Sequence, residues 1–150
     1  MKKYIILFPL YNDWKSLYKL SKEINDQIKG LSAKFSFLFI NDASSETKES
    51  FELNLSKIDS IKIINMNKNQ LSGRCIATGL KYIIENEEFD YVIVMDSDLQ
   101  HPPKYIPEMV LRWRKGVDVV IMQRETAGHS SWYKKVMEIL FYKVLNWISD

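Results

Sequence analysis

A single cysteine, Cys75, stands in a chain of 150 residues. That scarcity excludes an intrachain disulfide framework and a cysteine-built zinc cluster, and it leaves Cys75 as a small helix-packing residue. Net charge is scarce as well. The 21 Lys and Arg stand against 19 Asp and Glu, a balance of +2, which is too small a footprint for nucleic acid. No apolar run approaches the roughly 18 residues of a membrane span. No internal repeat, low-complexity tract or linker interrupts the sequence. Met1-Lys2-Lys3 followed by Tyr4-Ile5-Ile6-Leu7-Phe8 has the charge-then-apolar order of a signal peptide. The run is too short, however, and Pro9 and Asp13 follow at once, so it reads as a first strand. A reducing, cytoplasmic setting is the expectation. What is present is ordinary for a globular chain: 46% hydrophobic and 27% charged residues, enough for one domain with a real core.

Strand-like and helix-like patterns alternate. The strand-like runs are residues 4–8, 35–40, 61–65, 91–95 and 117–122. Between them, Trp14, Leu17, Leu20, Ile24 and Ile28 mark a first helix ended by Gly30. A weaker, polar helix covers about residues 46–55. Ile76, Leu80, Ile83 and Ile84 mark a third. Ile106, Met109, Val110 and Trp113 mark a fourth, with Pro102-Pro103 at its start and Gly116 after its end. Alternation of this kind predicts an α/β domain, a mostly parallel sheet with helices on both faces.

The fourth run, Tyr91-Val92-Ile93-Val94-Met95, ends abruptly in Asp96-Ser97-Asp98 and continues Leu99-Gln100-His101-Pro102-Pro103. Ligands of open α/β sheets bind at the carboxyl ends of the strands. On extended backbone, residues i and i+2 point the same way, so Asp96 and Asp98 are expected to grip one hard cation, Mg²⁺ or Mn²⁺, through oxygen. Such a metal would hold a diphosphate. Acidic residues after strands also cap turns and helices, and the spacing alone leaves both roles open.

Residues 131–148 differ from the rest. Trp132, Tyr133, Val136, Met137, Ile139, Leu140, Phe141, Tyr142, Val144, Leu145, Trp147 and Ile148 are broken only by Lys134, Lys135, Glu138, Lys143 and Asn146. The pattern predicts a helix with a very wide apolar face and lysines at its margin. It suits a core or dimer-packing surface, or a helix lying on a membrane, where Trp, Tyr and Lys favour the interface.

Polar residues close four of the strand runs: Phe8-Pro9-Leu10-Tyr11-Asn12-Asp13, Asn41-Asp42-Ala43-Ser44-Ser45, the Asp-Ser-Asp-Leu-Gln-His-Pro-Pro string from Asp96, and Gln123-Arg124 after residues 117–122. With residues 69–80, this order resembles the family 2 glycosyltransferases of GT-A fold. The closer likeness is to the branch that moves sugars onto polyprenyl phosphates, such as dolichyl-phosphate mannose synthases and bactoprenol glucosyltransferases. The resemblance covers essentially the whole chain as a single domain, 1–150. Relatives of that type continue further, so the acceptor-side part is expected to be missing from this sequence.

The resemblance implies roles residue by residue. Pro9, Tyr11 and Asp13 match the loop around the nucleotide base and ribose, with Asp13 standing where Glu is usual. Asp42 matches the acid that hydrogen-bonds the base, and a carboxylate accepting from a ring N–H would favour uracil or guanine. Capping the following turn with Ser44 and Ser45 is the other role open to it. Ala43 replaces a frequent Gly, so a positive φ there would be strained, and Leu71 also stands at a frequent Gly. Arg74 matches a position near the diphosphate, where its planar fork could pair with phosphate. Asp96 and Asp98 match the metal and diphosphate acids, with Gln100 as an accessory ligand. Arg124 matches an arginine facing phosphate near the acceptor.

The implied reaction is metal-dependent transfer of a sugar from a UDP- or GDP-type donor to an acceptor, a lipid phosphate in the first instance. A phosphate ester with a second pKa of about 6 is already ionised near neutral pH, so it needs cations such as Arg124, Lys134 or Lys135 more than it needs a general base. Peripheral attachment to the cytoplasmic face of a membrane and homo-oligomerisation are the associated expectations. A non-catalytic nucleotide-sugar or partner-binding module is the alternative. A phosphatase of haloacid-dehalogenase type is set aside, because that class wants its aspartate pair after an early strand and Thr or Val where Gln100 stands.

Overall fold

The computed structural model describes residues 1–46, 53 and 55–123. The chain groups into two compact units, Met1–Val117 and Asp118–Asp150, and all the elements below lie in the first. They run β1 (Lys3–Leu10), α1 (Trp14–Gln27), β2 (Lys34–Asn41), β3 (Ile58–Asn65), α2 (Leu71–Asn86), β4 (Tyr91–Val94), a 3₁₀ turn at Pro103–Tyr105 and α3 (Ile106–Arg114). The sheet order is β3-β2-β1-β4 and every pairing is parallel. This is the α/β architecture that the alternation predicts.

β1 and β2 form the middle of the sheet and are largely buried on both faces, which is why they read as near-continuous apolar runs, broken in β2 by Ser36. The two faces still divide by parity. Ile5, Leu7, Leu38 and Ile40 pack with Cys75 and Ile83 of α2. The opposite face is aromatic: Tyr4 stacks on Phe35 at 5.1 Å and on Tyr91 at 5.3 Å between ring centres, and Tyr91 stacks on Trp113 of α3 at 4.9 Å. Offset and tilted ring pairs of this kind add to the energy of simple burial.

Each helix follows its apolar stripe. Trp14, Leu17, Leu20 and Ile24 are the buried apolar positions of α1, at the spacing of one helical face. α1 starts where Asp13 accepts a hydrogen bond from Ser16 N at 3.3 Å, an N-cap. It ends at Ile28 without a left-handed residue, so Gly30 is not its cap. Gly116, with φ of +87°, does close α3.

α2 approaches the sheet closely at Gly79. A Cβ there would collide with Leu7 Cδ1 and meet Ile40 Cγ1 at 3.1 Å. Leu7 and Ile40 are fully buried and have little room to retreat. Gly79→Ala is therefore expected to destabilise the fold by about 1–2 kcal/mol, overpacking outweighing the better helix propensity of Ala. A urea melt of the variant checks this, and a midpoint at or above that of the parent would show that the interface yields.

Several expectations need correction or fall elsewhere. Residues 117–122 form no strand: Val119 and Ile121 are exposed, Ile121 by 83%. An apolar run becomes a strand only when a neighbour takes its backbone hydrogen bonds, and no ladder reaches this run among the described residues. β4 stops at Val94, one residue before the expected end. Most of the polar helix at 46–55, with Arg124 and the helix at 131–148, lies outside the described residues. No helix among the described residues is long and apolar enough to cross a membrane.

Candidate functional site at the strand ends

The parallel pairing aligns the carboxyl ends of the strands. Leu10 sits opposite Asn41, and Asn41 opposite Asn65. The loops leaving β1, β2, β3 and β4 therefore emerge on one edge of the sheet, where ligands of such sheets bind.

Each of these connections carries one non-glycine residue with positive φ: Asn12 at +52°, Ala43 at +54°, Leu71, the first residue of α2, at +68°, and Leu99 at +65°. These are the four such residues among those described. A left-handed backbone costs an L-residue roughly 1–2 kcal/mol, least for Asn, and strain of this kind clusters at functional sites. The strain expected at Ala43 is present. Leu71, the other residue standing at a frequent Gly, keeps the left-handed turn while its side chain is 75% exposed.

In the first loop, Pro9 is buried within β1, opposite Ile40. Tyr11 is about half exposed. Asp13, as noted, is engaged as the cap of α1.

The second loop centres on Asp42, which is only 4% exposed. Its N–H donates to Leu10 O at 2.8 Å. Its carboxylate accepts from two backbone amides across the site, Oδ1 from Gln70 N at 2.7 Å and Oδ2 from Leu71 N at 2.9 Å. Asp42 thus holds the amino end of α2, a partner 28 to 29 residues away, rather than the turn of Ser44 and Ser45. That turn belongs to Asn41, whose Oδ1 accepts from Ser44 N at 3.1 Å while its Nδ2 donates to Asn65 Oδ1 at 2.9 Å. Cys75 packs beneath. Burial, with the Asp42 carboxylate beside it, pushes the thiol up to about 11, so it stays a protonated packing group.

Arg74 lies exposed in the first turn of α2 and makes no ion pair among the described residues. It is free to meet an anion approaching that helix end.

The fourth loop departs from the expected geometry. Met95 N still donates to Leu7 O at 3.0 Å, but β4 has ended and the chain bends through 97–99. The rule that i and i+2 share a face applies to extended backbone, so it does not fix how Asp96 and Asp98 point. Ser97 is buried, Asp96 half-buried and Asp98 exposed. Asp98 Oδ1 accepts from Gln100 N at 2.9 Å, a local turn of the kind Asp favours. Asp96 N donates to His101 Nδ1 at 3.3 Å, which requires that nitrogen to be unprotonated. The His101 ring thereby closes the loop, a structural role.

No group of three or more His, Cys, Asp and Glu able to hold a metal occurs among the described residues. Two carboxylates at a loop nevertheless form a donor set that suits Mg²⁺ or Mn²⁺, because such ions are usually bound by one or two carboxylates, with substrate phosphates and water completing the shell. Asp96 and Asp98 fit that chemistry, with the Gln100 side chain as the next oxygen in sequence.

Sequence reasoning missed Asn12 and Asn41, which join the loops through side-chain amides. The available signal was positional: Asn bonds nearby backbone and tolerates turn conformations, and the two residues stand at strand ends, Asn12 two residues past β1 and Asn41 as the last residue of β2.

The family model for Glycosyl transferase family 2 matches residues 5–147. The chain is 32% identical over 152 residues to the uncharacterized glycosyltransferase YkcC of Bacillus subtilis (strain 168), covering 99% of this chain and 45% of that protein. It is 29% identical over 147 residues to the uncharacterized glycosyltransferase sll0501 of Synechocystis sp. (strain ATCC 27184 / PCC 6803 / Kazusa), covering 97% and 45% respectively. The chain thus spans less than half the length of these relatives. Among solved structures, S. aureus TarS 1-349 in complex with UDP-GlcNAc superposes with a TM-score of 0.51 at 17% identity, over 86% of this chain and 39% of that one. A second structure of TarS 1-349 gives 0.52 at 18%, over 86% and 40%. At that identity the likeness speaks for the fold.

Proposed function

The chain belongs to glycosyl transferase family 2, and from that membership we propose that it binds a nucleotide-diphosphate sugar at the strand-end edge and takes part in transferring the sugar to an acceptor. The observation that carries this reading is the convergence of the loops after β1, β2 and β4, with Tyr11, Asp42, Asp96 and Asp98, on one edge of a parallel sheet. The match over 5–147 supports treating both compact units as one glycosyltransferase domain.

The half-exposed Tyr11 ring offers a face to the base. Asp42 spends one lone pair of each oxygen on α2, and a carboxylate has about four acceptor sites, so a ring N–H of the base can still be met. Asp13 and Pro9 shape the same loop from behind. UDP is the nucleotide to try first, because the TarS neighbour is in complex with UDP-GlcNAc; GDP is the second. Arg74 supplies a cation near the diphosphate. A divalent metal held by Asp96 and Asp98, with Gln100, would act as a Lewis acid on the departing diphosphate. A lipid phosphate is the acceptor we propose. It brings its own negative oxygen, so the chain's part is to orient it through cations, Arg124, Lys134 and Lys135. The aromatic, lysine-edged stretch at 131–148 would lie on the cytoplasmic membrane surface.

Calorimetric titration with UDP, GDP and ADP, with and without Mn²⁺, tests the core of this proposal. UDP or GDP is expected to bind in preference to ADP, at least about tenfold more tightly with Mn²⁺. Failure of all three to bind at millimolar concentration would remove the nucleotide-site reading.

A further inference from the structure

We propose that Asn12 is the positioning residue that sets base recognition, by fixing the loop bearing Tyr11 against the loop bearing Asp42. The inference rests on the nucleotide-site reading above. After the bond from Asp42 N to Leu10 O at 2.8 Å, the two chains separate, one into α1 and the other toward residue 46. Asn12 bridges the gap with three polar groups. Its N–H donates to Ser44 Oγ at 2.9 Å. Its Oδ1 accepts from Glu46 N at 3.0 Å. Its Nδ2 donates to Ser45 Oγ at 3.1 Å, and that hydroxyl also lies 3.3 Å from Oδ1. Trp14 Nε1 adds a bond to Glu46 O at 3.3 Å.

The left-handed backbone at Asn12, φ +52°, is what allows both its N–H and its side chain to face the second loop. Asn is the non-glycine residue that tolerates this conformation best. Tyr11 precedes it directly, so the position of that ring relative to Asp42 depends on these bonds. A base held between a ring on one loop and a carboxylate on the other reads their separation, and displacement of such groups by about 1 Å is costly.

The test uses the full chain. Asn12→Gly keeps the left-handed turn and removes the side-chain bonds; Asn12→Asp keeps the acceptor for Glu46 N. We expect Asn12→Gly to bind UDP about tenfold more weakly in the presence of Mn²⁺ and to lose most of its preference for UDP over ADP. Asn12→Asp should retain most of both. Tyr11→Ala is the control for the site itself. If Asn12→Gly keeps parental affinity and base preference while Tyr11→Ala weakens UDP binding, the pocket stands and the positioning role is wrong. If Asn12→Gly lowers only the melting temperature, with base preference unchanged, its role is merely structural and the proposal is likewise overturned. If the parent chain binds no UDP, the nucleotide-site reading falls, and this inference with it; if the parent binds UDP and Tyr11→Ala changes nothing, Tyr11 is no part of the base pocket and the positioning role alone is overturned.

Discussion

Asp98→Asn is expected to abolish the Mn²⁺-dependent part of UDP binding while leaving the fold intact. Asp98 is exposed and beyond the end of β4, so no core contact depends on its charge. Its bond to the turn, Oδ1 accepting from Gln100 N at 2.9 Å, can be kept by the amide oxygen of Asn. What the substitution removes is one of the two carboxylates proposed to hold the metal. A hard cation loses most of its affinity when half of its anionic protein ligands become neutral. The tenfold or larger increment that Mn²⁺ is expected to give UDP should therefore vanish, with the metal-free affinity unchanged. The corresponding change at Asp96 is a less clean probe, because Asp96 is half-buried and its Oδ2 lies 3.8 Å from His101 Nδ1. Undiminished Mn²⁺-dependent affinity in Asp98→Asn would sink the metal reading while leaving the nucleotide reading untouched.

The division between what was legible in the sequence and what was not follows the range of the interactions. Strands buried on both faces must be largely apolar, so β1 and β2 are legible directly, and the apolar run ahead of it puts the Asp-Ser-Asp string at the sheet edge. The helical stripes of α1, α2 and α3 were legible for the same reason: burial imposes their period. Chain direction within the loops was not. The sequence places Asp96 and Asp98 on extended backbone, but β4 ends at Val94 and Leu99 turns left-handed. Residues 117–122 have the composition of a strand without its pairing. Ala43 and Leu71, which stand where Gly is frequent, both hold positive φ, because the turn is fixed by the bonds around it and the side chain has to follow.

Asp42 gives the clearest case of a contact that local rules cannot see, and it leads to the second large effect. Asp42→Ala is expected to destabilise the fold by about 2–4 kcal/mol, since two amides of the α2 amino end lose a buried charged acceptor and capping bonds are each worth roughly 1–2 kcal/mol. The loss exceeds that of an ordinary exposed cap because the site is 4% exposed and water cannot easily replace the carboxylate. It also leaves Leu71 in a strained φ with one of its two acceptors gone; Asn69 Oδ1, at 3.3 Å, remains. Asp42→Asn should fall between, because one oxygen still accepts from Gln70 N at the 2.7 Å position while an NH₂ group is set against Leu71 N. Urea denaturation orders the three proteins. UDP titration under native conditions then separates the two duties of Asp42. If Asp42→Asn folds stably but no longer distinguishes UDP from ADP, the carboxylate serves the base as well as the helix. If base preference survives in that variant, Asp42 serves α2 alone and the base is read by Tyr11 and its loop.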